Sequence, residues 1–145
     1  MKITELKLLR ETFRNEDGSE VVTFVIIIPL FMFIFAMMVT FSQIIYAGSV
    51  GLNAANAGCR QAIICDTERE ALESATSAAS TYVNSTGMGC TFISDELRKS
   101  GSWNRGNVCT YIVHVNVKTA IPLKSFSNNY EIEKASTMMI ERTGR

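Results

Sequence analysis

Hydrophobic side chains recur along this chain in three rhythms. The first is an unbroken run. From Val21 to about Phe41 there is no charged side chain, and Val, Ile, Phe and Met predominate. A bilayer core about 30 Å thick is crossed by roughly 20 apolar residues rising 1.5 Å each, and the run has that length. A secretory signal peptide has a shorter apolar region, about 7–15 residues, that ends at a small-residue cleavage site. Here polar helix formers follow instead, without a break. Pro29 lies one or two turns inside the run. Its missing donor and its clash with the previous turn predict a kink near Val25 to Pro29.

The second rhythm is helical and dominated by small residues. Ser42 to Ile64 carries no charge until Arg60 and contains Ala47, Gly48, Gly51, Ala54, Ala55, Ala57 and Gly58. The pairs Gly51–Ala55 and Ala54–Gly58 have the four-residue spacing that lets another backbone approach a helix closely. Each glycine costs a helix about 0.8–1 kcal/mol relative to alanine, so packing must compensate. The partner is either this chain's own folded part or a neighbouring subunit. A helix running from Val21 to Ile64 would be about 65 Å long. A second helix is predicted from Glu68 to about Val83. Thr67 and Glu70 have the spacing of a capping box, and Asp66 adds negative charge near its start. Its apolar positions, mostly alanine, follow helical spacing. The stretch Asn84 to Gly89, with Gly87 and Gly89, ends it.

The third rhythm is alternation. Between Cys109 and Thr119, Tyr111, Val113, Val115 and Val117 fall on one face, with Thr110, His114, Asn116 and Lys118 on the other. Ile121-Pro122-Leu123 closes this strand, because proline cannot donate to a ladder. A loop through Ser125 to Asn129 leads to a second strand, Tyr130 to Glu141. There Tyr130, Ile132, Met138 and Ile140 share a face that Lys134 and Ser136 interrupt. Thr91-Phe92-Ile93 reads as a short third strand, and Ser94 to Asn107 as a surface loop. The expected fold is α+β: a long N-terminal transmembrane helix continuing into a small extracytoplasmic head of one further helix and a small antiparallel sheet. The expected division is a tail at 1–18, a membrane helix at 19–45 and a head at 46–145.

Charge gives this arrangement a direction. Lys2, Lys7, Arg10 and Arg14 precede the apolar run, and the next basic residue is Arg60. Basic residues flanking a span stay in the cytoplasm, which places the N-terminus inside and the head outside. Gly18, a local breaker, reads as a turn just before the span. The 145 residues carry a formal net charge of zero, which argues against a nucleic-acid surface.

Four cysteines in a small domain outside the cytoplasm point to two disulfides. Cys59, Cys65, Cys90 and Cys109 contain no C-x-x-C pair, which disfavours zinc. On one helix, Cys59 and Cys65 would be separated by a rise of about 9 Å, more than the roughly 7 Å a disulfide tolerates. Each is therefore expected to bond to Cys90 or Cys109. No catalytic group or cofactor is expected. The one histidine, His114, lies on the polar face of a strand, and no phosphate loop, H-E-x-x-H or G-x-S-x-G pattern occurs. The carboxylate pairs Glu131/Glu133 and Glu70/Glu73 suit exposed faces.

The run Gly18-Ser19-Glu20-Val21-Val22-Thr23-Phe24-Val25-Ile26-Ile27-Ile28-Pro29-Leu30 resembles the start of TadE-like proteins, minor pseudopilins of tight-adherence (Flp) pilus systems. Leu52-Asn53-Ala54-Ala55 with Gly58-Cys59-Arg60 is similar to that family's Asn-Ala-Ala-x-x-Gly-x-Arg stretch. Val115-Asn116-Val117 to Ile121-Pro122-Leu123 is similar to its C-terminal strand and Pro-Leu turn. The resemblance implies a pilin-like subunit of the bacterial inner membrane, cut by a prepilin peptidase between Gly18 and Ser19. Counted from Ser19, Thr23 occupies the family's acidic fifth position, and the acid here, Glu20, is at the second. The implied partners are other pilins or pseudopilins, an inner-membrane assembly platform, the peptidase and membrane lipid. The implied assembly contacts are Glu20, Thr23, Phe24, Pro29, Gly51, Ala54, Ala55 and Gly58. Two readings compete with an assembly subunit: a membrane-tethered extracytoplasmic binding module, and a secreted enzyme behind an uncleaved signal anchor.

Overall fold

The structure, a computed structural model, describes residues 16–86, 89–119 and 129–141, with side chains from residue 22 onward. The basic tail, the Ile121-Pro122-Leu123 turn and most of the loop after it lie outside the described residues. In chain order come α1 (Glu16–Ala62), α2 (Glu68–Thr86), β1 (Cys90–Lys99), β2 (Val108–Lys118) and β3 (Asn129–Met139). The strands form one antiparallel sheet in the order β1-β2-β3. The α+β expectation is met, with one long apolar helix, one further helix and a small antiparallel sheet. The chain divides into two compact units, Met1–Val39 and Thr40–Arg145.

The first unit is described as the opening part of α1. The helix passes through Gly18 without interruption, so the turn expected at that glycine does not form. Gly18 lies in the first turn of a 47-residue helix, and one glycine costs such a helix only about 1 kcal/mol. Pro29 also lies inside the helix.

The second unit is built on β2. Its inward positions Tyr111, Val113, Val115 and Val117 are all buried, as the alternation requires. They pack with Ala47, Val50, Ala54, Ala55 and Cys59 of α1 and with Ala71, Ala75, Ala79 and Val83 of α2. Alanines on both helices keep those faces flat against the sheet. Ile112, on the opposite face of β2, is also 3% exposed, set between Glu96 on β1 and Ala135 on β3. Thr67 caps α2: its hydroxyl accepts the backbone N–H of Glu70 at 3.3 Å, satisfying a donor the helix cannot. Lys99 pairs with Glu68 of α2's first turn.

β1 is longer than the sequence pattern indicates. It continues through Ser94 to Lys99 instead of turning into loop, and the loop is confined to residues 100–107. Pairing with β2 shifts register between Phe92 and Ser94. This bulge moves the inward positions from Cys90 and Phe92 to Asp95 and Leu97, so simple alternation fails. Asp95 is accommodated because its Oδ2 accepts the hydroxyls of Thr76 at 2.5 Å and Tyr111 at 2.7 Å.

The head closes at one end through backbone contacts. Trp103 Nε1 donates to the Cys65 carbonyl at 3.1 Å, and Glu141 N donates to the Ile63 carbonyl at 3.3 Å. Gly106 takes a φ of +89° while its N–H donates to the Ile140 carbonyl at 3.0 Å. That left-handed conformation suits glycine.

All four cysteines are thiols in the structure, and its geometry leaves room for one of the two expected links. Only Cys59 and Cys109 come together. Cys90 pairs across from Val117, eight positions along β2 from Cys109, which is about 27 Å of strand. Cys65 sits at the Trp103 end, its thiol donating to the Gln61 carbonyl at 3.2 Å. The antiparallel course of β1 thus carries Cys90 away from Cys59 on α1 and from Cys65 just past its end.

Candidate functional site

The residues proposed for assembly fall into two environments. Gly18, Ser19 and Glu20 occupy the first turns of α1, and their side chains lie outside the described residues. Thr23, Phe24 and Pro29 are exposed. With them, Val25 to Ile28, Leu30 to Phe35 and Met38 present large apolar side chains to the surroundings, Phe31 at 67% exposed. An 18-residue window here has mean hydropathy 2.8, and none of it is buried within the chain. Among the described residues this is one helix long and apolar enough to cross a membrane. Apolar surface costs about 25 cal/mol per Å² in water, and so continuous a patch marks a site that lipid or other apolar helices cover. Thr23 stands where a carboxylate was expected, and a hydroxyl there carries no charge to neutralise.

The later small residues are in the opposite situation. Gly51, Ala54, Ala55 and Gly58 are buried in the chain's own head, so of the two partners their spacing allows, the head is the one seen. A Cβ on Gly58 would lie 2.3 Å from Tyr111 Cε1 and 3.1 Å from the Ala75 carbonyl oxygen. Glycine is required there because the Tyr111 ring lies against the helix backbone. A Cβ on Gly51 would lie 3.2 Å from Lys134 Cγ. One on Gly48 would lie 3.6 Å from Lys134 Cε. The aliphatic stem of Lys134 therefore lies across both glycines, as long basic side chains do on apolar surfaces.

Lys134 and Ser136 interrupt the apolar face of β3, and both interruptions now have partners. Lys134 crosses the glycines, and the Ser136 hydroxyl hydrogen-bonds to the Cys59 sulfur. Tyr111 itself is held at its hydroxyl by Asp95. Burial, and then the bond to the Asp95 carboxylate, push the phenol's pKa up. The sequence signal for these contacts was present: a lysine and a serine out of pattern in β3, and three glycines out of pattern in α1.

The outer sheet face is polar and charged. His114 Nδ1 lies 3.1 Å from Glu131 Oε1. Arg98 binds Glu96 through two nitrogens, both at 2.9 Å. That bond draws the Glu96 carboxyl below its usual range. Beside the helices, an open groove of 540 Å³ is lined by Gln61, Glu73, Ser74, Ser77, Ala78 and Thr81. Its hydroxyls and amide could hydrogen-bond a polar molecule, but its carboxylate, Glu73, is paired with Arg69 at 3.1 Å. Among the described residues, no three His, Cys, Asp or Glu side chains are grouped to hold a metal ion.

A family model described as TadE-like protein matches residues 18–60. No curated protein and no solved structure shows a match to the chain. The matched segment starts at Gly18 and ends at Arg60, so it takes in the bare apolar stretch and the small-residue stretch of α1 and stops short of the sheet. The later Pro-Leu resemblance falls outside it. Over residues 18–60, the chain is similar to the TadE-like proteins.

Proposed function

We propose that this chain is a pilin-like minor pseudopilin that takes part in assembling a tight-adherence (Flp) pilus or a related secretion apparatus. The observation that carries this reading is the bare apolar helix inside the matched segment. That helix is the anchor, held in the inner membrane of a bacterial cell with the N-terminus in the cytoplasm and the head outside. The contacts with other pilins or the assembly platform belong to the exposed stretch around Thr23, Phe24 and Pro29, because Gly51 to Gly58 are occupied by the head. A prepilin peptidase cuts between Gly18 and Ser19, and Glu20 then lies next to the new amino terminus. The role is structural, serves adhesion and requires neither cofactor nor catalysis.

Two measurements test the reading. N-terminal sequencing of the membrane-extracted protein is expected to begin at Ser19, and an intact Met1 start removes the processing step. Deletion of the gene is expected to abolish surface pili and adherence, with restoration by the wild-type chain. Normal piliation in the deletion strain overturns the assembly role.

A further inference from the structure

We infer that Cys59 and Cys109 form a single disulfide that fastens α1 to β2, while Cys65 and Cys90 remain thiols. The geometry is specific to this pair. Both side chains are fully buried, and Cys59 Sγ lies 3.9 Å from the Cys109 carbonyl oxygen. The Cys109 thiol hydrogen-bonds to the Cys59 sulfur. Cys65 and Cys90 are at opposite ends of the sheet and cannot bond each other, and Cys90 lies eight positions along β2 from Cys109.

A buried cysteine is often simply a small apolar side chain. Two features separate this pair from that case. The sulfurs are adjacent, and the groups around Cys59 favour its thiolate. Cys109, Ser136 and the backbone of Tyr111 and Met138 all hydrogen-bond to Cys59 and hold its pKa below the usual thiol range, against the opposing effect of burial. The same contact pushes the Cys109 thiol up. The pair therefore has an attacking member and a resolving member.

The chemistry is thiol–disulfide exchange with a disulfide oxidant, either glutathione disulfide or a dithiol oxidase of the cell envelope. The Cys59 thiolate attacks one sulfur of the oxidant, forming a mixed disulfide with it and expelling the other sulfur as a thiolate. Cys109 then loses its proton and attacks the Cys59 sulfur of the mixed disulfide, releasing the second oxidant thiol. Two protein thiols become one disulfide, and the oxidant's disulfide takes up the two electrons and becomes two thiols. Because both sulfurs are covered in the folded head, the first attack occurs before α1 docks on the sheet or during a local opening. The oxidising compartment this needs rests on the proposed placement of the head outside the cytoplasm.

The test uses the full chain purified in detergent micelles. The protein is equilibrated with glutathione disulfide, remaining thiols are blocked with iodoacetamide, and peptides are mapped without reduction. A linked Cys59–Cys109 peptide is expected, with Cys65 and Cys90 alkylated. The Cys65→Ala/Cys90→Ala double variant keeps the link, and Cys109→Ala loses it. Reduction lowers the melting temperature of the wild type by on the order of 10 °C, because the link closes a long segment of the unfolded chain. Four alkylated cysteines in the oxidised wild type, or a link through Cys65 or Cys90, overturns the pairing. A separate arm introduces Arg105→Cys in the exposed β1–β2 loop and treats intact cells or spheroplasts with a membrane-impermeant maleimide. Labelling supports the external head. Protection until lysis overturns that placement and leaves the glutathione result to stand alone.

Discussion

Residues 22–39 and 40–62 belong to the same helix, yet they solve opposite problems. The earlier stretch is large and apolar, with Phe24, Phe31, Phe33 and Phe35 exposed. The later stretch still exposes Phe41, Ile45 and Leu52, but its small Ala47, Ala54, Ala55, Cys59 and Ala62 are fully buried. Helical propensity does not distinguish them, since both are continuous helix. What differs is side-chain volume relative to the surroundings. Large side chains offer area to a fluid apolar solvent that adapts to any shape. Small ones allow a rigid sheet to approach the backbone, at Gly58 so closely that no Cβ fits.

The comparison breaks most visibly at Gly58. Gly58→Leu is expected to destabilise the head by about 3 kcal/mol or more, since both the Tyr111 ring and a backbone carbonyl block the added atoms. Chemical denaturation of the detergent-solubilised protein reads the loss, while membrane extraction is unchanged. Ile34→Arg does the converse. A charge at the centre of a spanning helix costs insertion about 3 kcal/mol. Carbonate extraction is expected to release more protein, with the head's denaturation midpoint unmoved. Equal effects of both substitutions on both readouts would mean that the two stretches are not separable.

Smaller changes sharpen the contrast within the head. Tyr111→Phe removes the hydroxyl bonded to Asp95 and is expected to cost about 1.5–3 kcal/mol, the range for a hydrogen bond to a charged group. The same position gives the head an alkaline limit. The pKa of Tyr111 is raised in the folded state, so the phenol's contribution is complete below the unfolded value of about 10 and declines as pH rises above it. The difference between wild type and Tyr111→Phe in denaturation midpoint should therefore narrow above about pH 10. The smallest effect is at Gly48. A methyl there meets Lys134 at an ordinary contact distance of 3.6 Å. Gly48→Ala is expected to raise stability by about 0.5–1 kcal/mol through helix propensity.

What the sequence made legible is what is periodic. The uncharged run, the cap at Thr67 and the alternation of β2 each follow from local pattern, and each is present in the structure. The second half of β1 was hidden because the bulge after Phe92 changes the phase and turns a carboxylate, Asp95, inward. No rule of alternation anticipates an acid whose partners are hydroxyls on α2 and β2. The glycines of α1 were recognised as close-approach positions, but which surface approaches them depends on β3. Lys134 and Ser136 looked like defects in that strand until their partners on α1 were known. The place of Cys90 was hidden for a related reason, because spacing along a helix says nothing of where an antiparallel strand begins.

The strand order β1-β2-β3 carries a kinetic consequence. Each strand pairs with its neighbour in the chain, so the sheet assembles through short loop closures with little entropic cost. The contacts of Gly58 with Tyr111 and of Gly51 with Lys134 join distant parts of the chain and require the longest closures. Joining α1 to the sheet is therefore the part of the head's assembly that carries the largest closure entropy.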